Sequence, residues 1–415
     1  MTQAVEAIEA IFNPVQTSRT PQPRAPQPKR PALNSAMNFV AVRMLTGDRS
    51  KYLGLIFAIA FSTFLIAQQV SIFAGLLNRM RSQILDVTDG DIWVMDPATQ
   101  YVDEVYALRD NALYRVRGVP GIRWAVPLFK GQPVARALNG RFRATILLGL
   151  DDASLAGAPH KMVLGSVQSL REPDAVIIDL AGYHFLFPGQ PPRIGDVLEM
   201  NDRRARIVGI SDASAPFTSF PVLYTRYSLA VNYVGLQRTQ MSFVLAQSQP
   251  GTSVAGLAKR IHEATGLRAV SSGEFGGMTI AYYMAHTGIP VNFGLTVAIG
   301  LIVGTVVAGQ TFYIFTIENL KQFGALKAIG ATNLRIVGMI LLQALLVGAI
   351  GYSIGMGLTA AFFAYFVHQE ATRGIVLLWQ VMVASGGVVL FIVAVASLMS
   401  IRRVLKLEPA VVFRG

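Results

Sequence analysis

Glu318-Asn319-Leu320-Lys321-Gln322-Phe323-Gly324-Ala325-Leu326-Lys327-Ala328-Ile329-Gly330-Ala331-Thr332 is a short, charged, glycine-punctuated interruption between two long apolar runs. One run ends at Ile317 and the next begins near Leu334. A polar segment between two spans lies at a membrane surface. Its two lysines, followed by Arg335, place it on the cytoplasmic side, because short loops rich in Lys and Arg stay inside. Phe323, Leu326 and Ile329 recur at helical spacing and Gly330 is suited to close a helix. The expectation is a short surface helix joining two spans.

The composition supports a membrane chain. Of 415 residues 52% are hydrophobic and 14% charged, against about 25% charged in soluble domains. Four uncharged windows reach the ~20 residues that cross a bilayer as a helix. The net charge is +12, which raises nucleic acid as a partner until its distribution is followed. Between Gly75 and Gly288 there are 21 basic and 18 acidic residues, leaving 15 basic and 6 acidic for the rest. The excess therefore sits on tails and loops flanking the spans, which is positive-inside topology, and no nucleic acid is expected. Cysteine is absent, so disulfides, thiolate metal sites and a cysteine nucleophile are excluded.

The expected organisation follows in chain order. Residues 1–36, with prolines at 21, 23, 26, 28 and 31, read as a disordered cytoplasmic tail. Residues 37–51 read as an amphipathic helix on the inner leaflet, where Arg43, Arg49 and Lys51 meet lipid headgroups. The first span is 52–78. Residues 79–288 regain charge and alternate short β-rich runs with turns, giving an α+β domain inserted between two spans. Helical pieces are expected there at 103–116 and 253–265. The second span is 289–317, the surface helix 318–333, the third span 334–367, an outer loop 368–374, the fourth span 375–401 and a basic tail 402–415. The fold class is thus membrane α-helical, with four transmembrane helices and a large α+β extracytoplasmic domain between the first and second. Four spans put both termini in the cytoplasm.

Catalytic motifs are missing. His262-Glu263 lacks the second His of a zinc-protease helix. There is no Gly-x-Ser-x-Gly elbow and no phosphate-binding loop ending in Gly-Lys-Ser/Thr. The spans carry almost no ionisable residues, whereas ion-coupled transporters bury them. No catalytic, metal or cofactor site is expected, and energy must arrive from elsewhere. The surface helix is the candidate inlet.

The run Glu-x-x-x-x-Phe-Gly-x-Leu-Lys-Ala-Ile-Gly from Glu318 to Gly330, the ending Leu407-Glu408-Pro409-Ala410-Val411-Val412-Phe413-Arg414 and the one-plus-three topology resemble the permease subunits of MacB/FtsX/LolC-type (type VII) ABC transporters. Tyr282-Tyr283-Met284-Ala285-His286-Thr287-Gly288-Ile289-Pro290 and the strand Asp91-Ile92-Trp93-Val94-Met95 are similar to the DevC-like branch. The resemblance covers residues 37–415. It implies that the surface helix is a coupling helix docking on a separate ABC ATPase subunit through Glu318, Lys321, Phe323, Gly324, Leu326, Lys327, Ala328, Ile329 and Gly330. It implies a homodimer of permeases with two ATPase copies, which bind the ATP and magnesium. It further implies a bacterial inner membrane location and partnership with a periplasmic membrane-fusion adaptor and outer-membrane channel. Residues 79–85 and 276–287 would be stalk ends passing motion to the outer domain. The implied function is efflux or lipid and amphiphile export. The alternative is an FtsX-like signalling scaffold that activates a cell-wall hydrolase without transport.

Overall fold

The computed structural model describes residues 31–47, 49–235, 241–366 and 374–405. The proline-rich stretch up to residue 30, residues 368–373 of the outer loop expected at 368–374, and the C-terminal residues 406–415 lie outside the described residues.

Among the described residues, four helices are long and apolar enough to cross a membrane: α2 (Arg49–Leu85), α8 (Ile289–Glu318), α10 (Asn333–Phe366) and α11 (Trp379–Leu405). They are joined at one end by α1 (Pro31–Gly47) and α9 (Leu320–Ala328). α2 packs on both α8 and α10, and α11 packs on α8 and α10. Inside the bundle lie Leu55, Ile59, Phe312, Phe315, Ile340, Ala344, Val347, Ile392, Val393 and Ala396. Helices in lipid gain little from burial as such and associate through close packing, which small residues permit. Gly355 of α10 does this against α2, since a Cβ there would come within 2.4 Å of the Ala60 carbonyl oxygen.

α1 opens at Pro31, six residues before the position expected of the surface helix, as suits proline in a first helical turn. It packs along α10 with Ala41 and Leu45 buried. Gln343, the polar side chain in the middle of α10, donates Nε2 to the Ala41 carbonyl oxygen at 2.7 Å.

Between α2 and α8 lies an α/β domain of twelve strands among the described residues. The strands are β1 (Ile92–Met95), β2 (Ile122–Gly131), β3 (Val134–Ala137), β4 (Phe142–Ala144), β5 (Ile146–Leu150), β6 (Met162–Gly165), β7 (Ala175–Asp179), β8 (Val197–Met200), β9 (Arg203–Ser211), β10 (Val222–Arg226), β11 (Phe243–Ser248) and β12 (Arg268–Ser271). The order is β12-β1-β11-β2-β5-β10-β7-β9-β8-β3-β4, with β6 beside β9. β2 belongs to two lobes: its first part pairs antiparallel with β11 and its last three residues with β5. In the lobe entered from α2 and left at the last strand, β12, β1, β11 and β2 carry α3 (Asn111–Arg117) and α6 (Val254–Thr265), which seal Val94, Leu113, Val116, Val244, Leu257 and Ile261. The other lobe carries α4 (Leu180–Leu186) and α5 (Tyr227–Val234) over Phe129, Leu147, Ile178, Ile207 and Leu223. β8 and β9 form the hairpin expected around Asn201-Asp202-Arg203, with Asn201 and Asp202 both at positive φ.

The helix expected over 103–116 is corrected: α3 covers only Asn111–Arg117. Asp103 instead lies in a turn closed by the Glu104 amide on the Tyr101 carbonyl at 3.2 Å, and its carboxylate forms an ion pair with Lys130. α7 (Ser272–His286) starts with a complete capping box between Ser271 and Glu274 and runs beside the end of α2. Thr287 breaks it before Pro290 opens α8.

Candidate functional site

α2 leaves the bundle towards the inserted domain and α8 returns from it, so the α8–α9–α10 corner lies at the opposite end. The sequence builds this corner in three steps. Asn319 ends α8 by folding its side-chain amide back on the Phe315 carbonyl oxygen at 2.8 Å, while its own carbonyl accepts the Phe323 amide. α9 then runs for nine residues. It stops in a Schellman motif: the Gly330 amide bonds the Lys327 carbonyl and the Ala331 amide bonds the Leu326 carbonyl. Gly330 has φ +101°, a conformation that side chains with a Cβ resist, which is the physical content of glycine at this place. Thr332 accepts from the amides of Arg335 and Ile336 and starts α10.

The nine residues expected to dock a partner divide into two groups. Phe323 and Gly324 are buried, Phe323 completely, in the cluster that holds Leu45, Leu55, Phe315, Ile336 and Val404. Phe323 therefore seats α9 on the membrane helices. Leu326 and Lys327 are half-buried. Glu318, Lys321, Ala328, Ile329 and Gly330 are exposed, with Ile329 85% accessible. The common face expected for Phe323, Leu326 and Ile329 does not form. At about 100° per residue, six residues carry Ile329 about 120° away from Phe323 around the helix. Leu334 on the first turn of α10 is 82% accessible. Ile329 and Leu334 are thus two large apolar side chains set among Lys321, Gln322, Thr332 and Arg335, all exposed.

Two charged contacts fix this corner, and sequence reading identified neither. Lys327 Nζ donates to the carbonyl oxygens of Val404 at 3.1 Å and Leu405 at 3.5 Å, in the last turn of α11. A cation at the last described turn of a helix also meets the negative end of the helix dipole. Glu318 pairs with Lys51 at the start of α2. Its carboxylate lies in the last turn of α8, where the dipole disfavours it, and just ahead of α9, where it is favoured. The signal available in sequence was limited to charge placement near helix ends. Which helix end each lysine reaches is decided by the bundle.

The corner holds no group of residues suited to a metal, and no cluster of three or more His, Asp or Glu occurs among the described residues. What the arrangement offers is mechanical: a short helix with an exposed apolar rim, bonded to the ends of α2, α8 and α11.

A family model described as MacB-like periplasmic core domain matches residues 53–264, about half of the chain, and one described as FtsX-like permease C-terminal matches residues 294–409. An uncharacterized ABC transporter permease of Mycobacterium tuberculosis is 25% identical over 223 residues, covering 54% of this chain and 58% of that relative, so the alignment spans little more than half its length. Another uncharacterized ABC transporter permease of the same organism is 24% identical over 372 residues, covering 85% of this chain and 94% of the relative. The macrolide export ATP-binding/permease protein MacB of Psychrobacter arcticus is 23% identical over 298 residues, covering 69% of this chain and 44% of the relative. Among solved structures, the periplasmic region of MacB from Actinobacillus actinomycetemcomitans aligns with 14% identity and a TM-score of 0.35, over 48% of this chain and 94% of that one.

Proposed function

This chain belongs to the ABC transporter permeases that combine a MacB-like periplasmic core domain with an FtsX-like C-terminal part, and from that premise we propose that it is the membrane subunit of an ATP-driven exporter. Two permease copies work with two ATPase units that bind the ATP and magnesium. The α9 corner faces the cytoplasm and receives their motion, and the inserted domain lies on the outer side. The cargo is a lipid or amphiphile taken from the outer leaflet or the periplasm and passed to an adaptor and outer-membrane duct.

The observation that carries this reading is the division of α9. A helix that only packed on the membrane would bury its large apolar groups. Here Phe323 is buried while Ile329 and Leu334 are left exposed by the chain itself at the tip. Isolated exposed apolar residues need no explanation, but two at one tip with basic neighbours fit a cleft on a soluble partner. The spans themselves offer no charged lining, which agrees with transport by movement of the outer domain rather than by a path through the bundle.

The test is Ile329→Asp in the full chain, purified from cells that supply the ATPase subunit. Loss of ATPase co-purification, with the permease still folded, is expected. Undiminished co-purification together with undiminished export would overturn the docking role.

A further inference from the structure

Asp103 lies in the loop between β1 and α3, yet it touches three separate parts of the protein. Gln83 on the last turn of α2 donates Nε2 to Asp103 Oδ1 at 3.2 Å. Tyr283 on α7 donates its hydroxyl to Asp103 Oδ2 at 3.0 Å. Lys130 on β2 forms an ion pair with Oδ1 at 2.6 Å, and its ammonium also donates to the Val102 carbonyl at 2.8 Å. Lys130 is almost completely buried. α2 and α7 are the two helices that lead from the membrane into the domain, and β2 is the strand shared by its two lobes.

The neighbouring residues reinforce the same junction. The Val102 amide donates to Thr279 Oγ1 on α7 at 3.2 Å. The Tyr101 ring stacks on that of Tyr282 with centroids 4.0 Å apart. Ser242 at the start of β11 bonds both the amide and the carbonyl of Lys130, so the side chain held by Asp103 belongs to a residue clamped across β2 and β11.

We propose that Asp103 is a positioning residue that joins both stalk helices to the junction of the two lobes, so that displacement of α2 and α7 moves the outer domain as one body. This rests on the ATP-driven reading above. The domain has other links to α2: Arg79 donates to the Pro216 carbonyl at 3.1 Å, and Ser82 Oγ donates to the Ala215 carbonyl at 3.1 Å. Those hold one stalk to one loop. Asp103 is the group that bonds to both stalks and to β2. A buried carboxylate with three donors from three elements is rigid in geometry, because shifting any one of them leaves a buried charge short of a partner.

The chain has no cysteine, so single spin labels can be placed without background. In the complex with its ATPase, Leu85→Cys reports the stalk and Tyr114→Cys reports the domain, both through distances between the two permease copies. On trapping with MgATP, both labels are expected to shift in the parent protein. In Asp103→Asn the stalk label still shifts, and the shift of the domain label is lost. Tyr283→Phe keeps the ring and removes the hydroxyl. It is expected to reduce the domain response while leaving the stalk response intact, and it serves if Asp103→Asn does not fold. Full shifts at both positions in both variants would overturn the proposal. No shift at either position in the parent protein would overturn the ATP-driven reading itself, and this proposal with it.

Discussion

The ammonium of Lys327 lies 3.1 Å from the carbonyl oxygen of Val404, joining the tip of α9 to the last turn of α11. Phe323 is buried in a cluster with Leu55, Phe315, Ile336 and Val404, one from each of the four spans, and Glu318 at the end of α8 pairs with Lys51 of α2. A push on the tip is thereby delivered to the bundle as a whole.

Replacement of Lys327 by Met removes charge-assisted hydrogen bonds to the Val404 and Leu405 carbonyls. Bonds of this kind contribute about 1.5–3 kcal/mol. The variant is expected to unfold at lower temperature in detergent and to retain ATPase binding, since Ile329 is untouched. Lys327→Arg, which keeps the charge and the donors, should restore most of the loss. Thermal unfolding of the purified permease checks this.

Phe323 and Ile329 differ by burial alone, and their alanine variants should separate accordingly. Phe323→Ala removes a fully buried ring, a change that costs about 3–5 kcal/mol in well-packed sites. Ile329→Ala removes an exposed side chain and should fall within about 0.5 kcal/mol of the parent. Unfolding curves of the two variants test the division of α9 into a seated side and a docking side.

The pH response of the inserted domain should depend on Asp103. Burial raises the pKa of this carboxyl, but the Lys130 charge and the hydrogen bonds from Lys130, Gln83 and Tyr283 outweigh it, leaving the value below the ordinary 3.8. A carboxyl lowered on folding contributes stability above its unfolded pKa and loses it as pH falls through the folded one. The contribution is therefore present at neutral pH and disappears as pH drops below about 3.8. Asp103→Asn should be less stable at neutral pH and show a shallower acid decline than the parent, measured by urea unfolding at a series of pH values.

Orientation is open to direct labelling. Leu138 in the outer lobe is 84% accessible and Gln322 on α9 is exposed. A cysteine at Leu138 should react with an impermeant thiol reagent in intact cells from which the outer barrier has been permeabilised, and one at Gln322 should react only after the inner membrane is opened. The reverse pattern would invert the topology.

Much of this architecture is written locally. The uncharged windows that became α2, α8, α10 and α11 were readable because hydrocarbon admits few charges, and the hairpin at Asn201-Asp202 because its turn requires positive φ. The Gly330 stop was readable for the same reason. What escaped depends on pairings far apart in sequence. Asp103 looked like the start of a helix until Lys130, Gln83 and Tyr283 claimed it. Ile329 looked like a third member of a packed face, although helical rotation carries it away from Phe323 and the chain stops being helical just before it. The contact of Lys327 escaped because its acceptor is the backbone of a helix more than seventy residues later, and backbone carbonyls leave no mark in side-chain sequence.

The central claim is that the exposed tip of α9 is where an ATPase engages this chain. A photoreactive benzoylphenylalanine at Ile329, with a control at Phe323, tests it most directly in cells expressing the full chain at native levels. The account predicts that light yields an adduct at Ile329 with a protein carrying a nucleotide-binding phosphate loop, identified by mass spectrometry, and none at Phe323. Adducts at Ile329 confined to lipid or to the chain itself would contradict it.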